Sequence, residues 1–289
     1  PHPWYFRRIP SAAEQEITHG EGLTDADGKF NIDFRALADP GIKKETRPVF
    51  SYRIETDITD LNGETRSATT TVAASYQSFQ IISSLPAESR MESDSLQEIP
   101  LTTQNASGEF LPELVTVSIF SLKTPDRLIR KRFWDQPDQF VMSRADFIKS
   151  FPNDAYQDET NKTSWEKISK LLEKTDSTRA TGLFTLDSKK LSKIRDGWFL
   201  VEFSAKDKNG EIITDKRYIE LTGNANNKTG YPVYNAFESD DQTSEPGKEL
   251  NVQTGSSAMD VFVIRAREDV DDSLSTYSYF RLKDEIKST

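Results

Sequence analysis

Apolar and polar residues alternate along much of this chain at a period of two. Phe30, Ile32 and Phe34 alternate with Asn31 and Asp33, and Phe50, Tyr52 and Ile54 alternate with Ser51, Arg53 and Glu55. Phe199, Val201 and Phe203 likewise alternate with Leu200, Glu202 and Ser204. Such alternation gives a strand one buried and one wetted face, as in antiparallel sheets. Burying each large apolar side chain is worth about 1.5–3 kcal/mol, so three per strand suffice to hold a sheet together. Further strands are expected at 72–76, 79–82, 114–120, 217–221 and 261–264. With little helix between them, the pattern predicts an all-β protein of antiparallel sandwiches.

Three turn signatures separate these runs. Thr24-Asp25-Ala26-Asp27-Gly28-Lys29, Thr59-Asp60-Leu61-Asn62-Gly63-Glu64 and Lys206-Asp207-Lys208-Asn209-Gly210-Glu211 each hold an Asp two positions before Asp-Gly or Asn-Gly. Asp-Gly and Asn-Gly favour the positive φ angles of a tight hairpin, and the earlier Asp can fold back on the turn amides. Asp25-Ala26-Asp27-Gly28 also looks like a fragment of a calcium loop. It lacks the third oxygen ligand before the glycine and the closing bidentate Glu, so a hairpin turn is expected and no metal.

The middle of the chain departs from period two. Ser143 opens a short helix with Asp146 placed to cap it and Phe147, Ile148 and Phe151 on one side, ended by Pro152. Thr163 and Glu166 have the spacing of a capping box, and Trp165, Ile168, Leu171 and Leu172 follow at helical intervals. Two short helices, within about 143–174 and joined by the polar stretch 153–162, are therefore expected as an insert. An elaborated loop packed on a sandwich and a partner-binding lid are both compatible with it.

Size and composition bear on organisation. At 289 residues the chain exceeds one sandwich, and 35% hydrophobic content is low for a single globule of that size. Several small modules expose more surface per residue and account for a mean hydropathy of −0.65. The expected modules are 1–76, 77–223 carrying the insert, and 224–289, the first and last incomplete. The first link is short; the second is the polar stretch 223–230. Glu245-Pro246-Gly247-Lys248-Glu249 is a turn opening another strand region. Pro1-His2-Pro3-Trp4 has neither an initiator Met nor a signal pattern, so the segment is expected to lie inside a longer protein.

Candidate chemistry is sparse. A net charge of −10 without a basic stripe repels phosphate backbones, which makes nucleic acid an unexpected partner. No apolar run reaches membrane-span length. The absence of cysteine excludes disulfides, thiolate sites and an internal thioester in this stretch. The two histidines, His2 and His19, lack His-Glu-x-x-His spacing; no Gly-x-Ser-x-Gly elbow or phosphate-binding loop occurs. Asp269, Asp271 and Asp272, and Asp240 with Asp241, read as solvated acidic loops, with weak divalent-ion binding as the alternative. Trp4-Tyr5-Phe6 and Phe133-Trp134 form either core or an aromatic platform for sugar. Asn105, Asn161 and Asn227 each begin an Asn-x-Ser/Thr sequon. No catalytic residue, cofactor or metal site is expected.

Residues 22–32, with the hairpin at 50–65, resemble the end of a macroglobulin-like domain of the bacterial α-2-macroglobulin family. Asp196-Gly197-Trp198-Phe199-Leu200-Val201 and 205–210 are similar to the closing hairpin of a next module, and 245–250 with 255–261 to the opening of a third. The resemblance covers about half the chain and implies a non-catalytic piece of a periplasmic, envelope-anchored or surface-exposed protease trap. Its implied role is to hold module spacing and relay conformational change, with neighbouring domains and attacking proteases as partners. The family's thioester needs a cysteine, and none is here to carry it. Two other functions stay open: a surface adhesin or glycan-binding sandwich array, and an accessory module of a secreted enzyme. Exposure of Trp4, Phe133 or Trp134 favours the adhesin.

Overall fold

In a computed structural model, described over residues 14–88, 90–136, 138–187, 196–222, 227–239, 247–248, 250–267 and 276–288, the chain divides into two compact units, Pro1–Tyr76 and Gln77–Thr289. Strands are numbered in chain order.

In the first unit, β1 (Val49–Thr59) and β2 (Thr65–Ser75) form an antiparallel hairpin paired in continuous register from Val49↔Ser75 to Thr59↔Thr65. The alternation anticipated on β1 holds: Tyr52 is buried while Ser51, Arg53 and Glu55 are exposed. The ring of Phe34 lies 5.6 Å from that of Tyr52, whose hydroxyl donates to the Leu37 carbonyl at 3.1 Å. The strand expected at Phe30, Ile32 and Phe34 does not form. The turn beside it closes, but the preceding His19-Gly20-Glu21-Gly22 offers no partner strand, and Phe30 and Ile32 stay exposed.

The second unit is built on a two-sheet sandwich. One sheet has the order β4-β10-β9-β6-β7, from β4 (Arg90–Glu92), β6 (Leu114–Leu122), β7 (Lys167–Ser177), β9 (Gly197–Lys206) and β10 (Ile212–Thr222). Its pairings are antiparallel except β4 with β10. The other joins β3 (Gln80–Ser83), β5 (Glu98–Gln104) and β8 (Leu183–Thr185). Between them sits one core. Val115, Val117 and Ile119 of β6, Phe199, Val201 and Phe203 of β9, and Ile219 and Leu221 of β10 meet Ile81, Ile99, Leu101 and Phe184 from the facing sheet. Leu200 is buried too, although it points away from this core. The outer face of the sheet carries a second cluster of Leu122, Trp198 and Leu200, packed by Phe120, Trp165, Tyr218 and Tyr231.

The remaining strands make two smaller sheets: β11 (Ala236–Ser239), β12 (Val252–Ser256) and β15 (Glu285–Ser288) in one, β13 (Val261–Arg267) and β14 (Thr276–Leu282) in the other. Tyr231 fastens this region to the sandwich, its ring edge-on to Trp198 at 6.1 Å and its hydroxyl donating to Glu220 at 3.2 Å.

One expectation is corrected by these elements. The helix placed at 163–174 is instead β7, preceded by a single 3-10 turn, Lys162–Ser164, capped by Asn161. The ladder with β6 slips twice: Ile119↔Leu172 gives way to Phe120↔Lys170, and Ser121↔Ser169 to Leu122↔Lys167. Leu171 and Ile168 are the residues skipped. A bulged residue shifts the phase of alternation, so two bulges on one strand imitate helical spacing. The earlier helix does form, as Arg144–Ser150, with the Ser143 hydroxyl accepting from the Asp146 amide.

The expected hairpin turns form between β1 and β2 and between β9 and β10. Among the residues of the three turn signatures only the glycine has positive φ, 75° at Gly28 and 84° at Gly63 and Gly210, so these are not two-residue turns with both centres left-handed. Each is a four-residue turn closed by a left-handed glycine. The glycine amide donates to the carbonyl of the Asp, and the Asp amide to the carbonyl beyond the glycine. The Asp side chain accepts from the amides two and four residues on, at 2.8–2.9 Å in all three. A fourth copy occurs at Asn105, whose side-chain oxygen accepts from Ser107 and Glu109 at 3.0 Å.

Candidate functional site

The chain leaves the sandwich at Leu122 and returns at Lys167. The connection between, 123–166, is far longer than the two to five residues a hairpin needs, and such loops commonly carry function. It is held in shape mostly by arginines donating to a neighbouring stretch of backbone. Arg127 donates to the carbonyls of Pro152 at 2.6 Å and Asp154 at 2.9 Å. Arg130 grips the Asp154 carboxylate through Nε and Nη2, and Arg132 donates to the Ala155 carbonyl at 2.6 Å. Glu159 accepts from Arg127 at 3.2 Å, Arg144 at 3.3 Å and the Gln157 amide at 2.8 Å.

Both acids are shielded from water, with side-chain exposure of 10% for Asp154 and 13% for Glu159. The Arg130 hydrogen bond holds Asp154 below the usual carboxylate range, against partial desolvation. Desolvation pushes Glu159 upward, but the Gln157 and Tyr156 amides and Arg127 outweigh it, and its pKa is lowered. Both are therefore charged partners of the arginines at neutral pH, with lone pairs committed to structure.

This framework presents aromatic rings. Tyr156 lies 4.6 Å from Phe140 and 5.3 Å from Phe147, which lies 5.2 Å from Phe151; the Tyr156 hydroxyl donates to the Met142 carbonyl at 2.7 Å. Phe140, Phe147 and Tyr156 border a cavity of about 170 Å³ whose walls also include Trp134, Met142 and Arg132. Exposure of 57% at Trp134 and 85% at Phe133 places these rings at the surface rather than in a core. The 170 Å³ cavity is the size of one large side chain, and its lining rings offer stacking and apolar contact.

The other sequence candidates gather no site. His19 is exposed and contacts Glu16 at 3.0 Å. Asp25, Asp60 and Asp207 are turn acceptors. Among the described residues, no three His, Cys, Asp or Glu side chains converge to hold a metal ion, and no helix is long and apolar enough to cross a membrane. The Asn105 side chain is bound into its turn, and that of Asn161 caps the 3-10 turn. His2, Trp4-Tyr5-Phe6, Asp240, Asp241, Asp269, Asp271 and Asp272 lie outside the described residues, as do 223–226 of the stretch 223–230 and part of 245–249.

No family model matches the chain, and no curated protein does. Among solved structures it is similar to a tetra-tandem repeat in the extending region of a large adhesion protein, at 14% identity and a TM-score of 0.26. That likeness covers 83% of this chain and 48% of the other, so the chain spans about half the length of the structure it matches.

Proposed function

We propose that this chain is a non-catalytic, extracytoplasmic segment of a β-sandwich array that binds another protein through the β6–β7 connection. The observation that supports it is the ring-lined cavity in the β6–β7 connection, whose neighbouring stretch 152–157 is bound by Arg127, Arg130 and Arg132. The occupant is an aromatic or long aliphatic side chain from a partner protein. A sugar needs polar groups ringed about an aromatic platform. Here the walls offer Gln139 and Arg132, and the Arg132 guanidinium already donates to Ala155 and Gln157.

The test is to apply the purified chain to a peptide array and a glycan array beside Trp134→Ala and Tyr156→Ala. The expected result is retention on peptides sharing an aromatic or long aliphatic residue, weakened about tenfold or more in both variants, as for an interface anchor. Retention on glycans alone transfers the cavity to sugar recognition, and retention on neither overturns the proposal.

The macroglobulin-like scaffold is a second reading, supported by the recurrence of a long in-register hairpin with an Asp-x-x-Gly turn at β1–β2 and at β9–β10. On this reading the parent protein, mixed with a broad-specificity protease, is cut at a defined site and compacts. A parent that is degraded without a defined cut or compaction excludes it.

A further inference from the structure

We propose that the free edge of β2 is a self-association site, pairing antiparallel with β2 of a second copy of this chain. Among the described residues β1 and β2 form a two-stranded sheet, so no described strand pairs with the outer edge of β2. A lone hairpin is marginal in water and needs a third strand or a covered face. One face of the hairpin is covered in part, by Phe34 on Tyr52, and the residues of β2 are exposed at every position from Thr65 to Val72.

The two edges are not equivalent. Natural edge strands are guarded by charge, proline or bulges. β1 carries Arg53, Glu55 and Asp57, and Arg53 is ion-paired to Glu14 at 2.8 Å. From Ser67 onward β2 carries no charge, no proline and no glycine, and its ladder with β1 has no bulge. It is rich in threonine, which suits strands.

The same composition favours a second copy as the occupant. With a two-fold axis at Thr70, Thr70 faces Thr70, Thr69 faces Thr71, and Ala68 faces Val72. Cross-strand threonine pairs are favourable, and β-branched residues pack well on a pleated surface. The strand's one charge, Arg66, lies opposite Ala74, with its counterpart roughly 27 Å away at about 3.4 Å per residue. The strand therefore meets itself without like-charge repulsion. The result is a four-stranded sheet, β1-β2-β2-β1, in which Ala68, Val72 and Ala74 continue the face of Phe50, Tyr52 and Ile54.

The test uses the whole chain. Sedimentation over the micromolar range is expected to show a monomer–dimer equilibrium. Because the protein has no cysteine, Thr70→Cys reports the pairing directly: mild oxidation is expected to give a covalent dimer with Thr70→Cys and none with Glu55→Cys on β1. Thr70→Lys places two like charges face to face and is expected to raise the dimer dissociation constant about tenfold, with an unchanged circular-dichroism spectrum. A monomer at every concentration overturns the proposal, as does a dimer indifferent to Thr70→Lys or a Thr70→Cys variant that cross-links no faster than Glu55→Cys.

Discussion

Asn105 and Asp207 occupy the same place in two turns and do the same work, although one is an amide and the other a carboxylate. The turn needs an acceptor of the right length, not a charge. Asn105→Asp is therefore expected to keep the two turn hydrogen bonds while losing the amide's donation to the Glu109 carboxylate at 2.9 Å, and Asn105→Ala removes all three and costs about 1 kcal/mol in urea unfolding. The sequence displayed three of these turns openly, because Asp-x-x-Gly is a known hairpin signal. The fourth was hidden by the sequon reading of Asn105-Ala106-Ser107, although Gly108 completes the same spacing. Gly230 is constrained differently. A Cβ there would fall 2.7 Å from the Asp196 backbone carbon and 2.8 Å from its oxygen. Gly230→Ala is expected to cost about 1–3 kcal/mol, seen as a lower thermal midpoint followed by Trp198 fluorescence. Nearby, burial pushes the Tyr231 hydroxyl up to about 12, with Glu220 adding to the effect. A phenol whose pKa rises on folding stabilises the fold fully below its unfolded pKa. That contribution is lost as pH rises from there through about 12. Ultraviolet titration is expected to show one late phenolate, absent in Tyr231→Phe.

Among the elements, β7 shows how a strand can disguise itself. Ile168, Leu171 and Leu172 suggest a helix because their spacing is three and one, and Trp165 extends the pattern. The spacing arises from two bulges, and no single-chain pattern distinguishes a bulged strand from a short helix; the partner β6 decides it by offering a ladder. The two structures predict different mutational profiles. In the strand, Leu172 enters the core at 3% exposure while Ile168 remains 63% exposed. Leu172→Ala should cost about 2–5 kcal/mol and Ile168→Ala within about 0.5 kcal/mol in chemical denaturation. Comparable losses at both would restore the amphipathic helix. β9 was legible for the opposite reason: its ladders with β6 and β10 are regular, so Phe199, Val201 and Phe203 kept their phase.

Across the whole second unit, two kinds of cohesion coexist. The sandwich is held by a continuous apolar core, and the β6–β7 connection by arginines, two shielded carboxylates and carbonyls. The first kind was evident in the sequence as alternation. The second was not, because carbonyl acceptors belong to every residue and leave no mark on side-chain pattern. Phe133-Trp134 was visible as an aromatic run, but the cavity also takes in Ala155 and Tyr156, from the stretch that Arg127, Arg130 and Arg132 bind. The two kinds respond differently to acid. Depressed carboxylate pKa values stabilise the fold above the usual carboxylate range, and that contribution is lost as pH falls through the depressed values of Asp154 and Glu159. In an acid series, protease cuts within 123–166 are expected to appear while the far-ultraviolet spectrum of the sheets persists. Simultaneous loss of both would mean that the connection and the sandwich unfold as one.

Leu122 stands directly across the ladder from Lys167, and the Lys123 amide donates to the Glu166 carbonyl at 2.9 Å. The chain thus departs and returns within the width of one hairpin, whatever is enclosed. A segment with such closely spaced ends is interchangeable in principle: a tight turn or an unrelated loop closes the same gap, provided that it still covers Trp198 where Trp165 now packs. The sandwich is in that sense a mount. What it displays can diversify or be grafted without any change to the residues that hold it together.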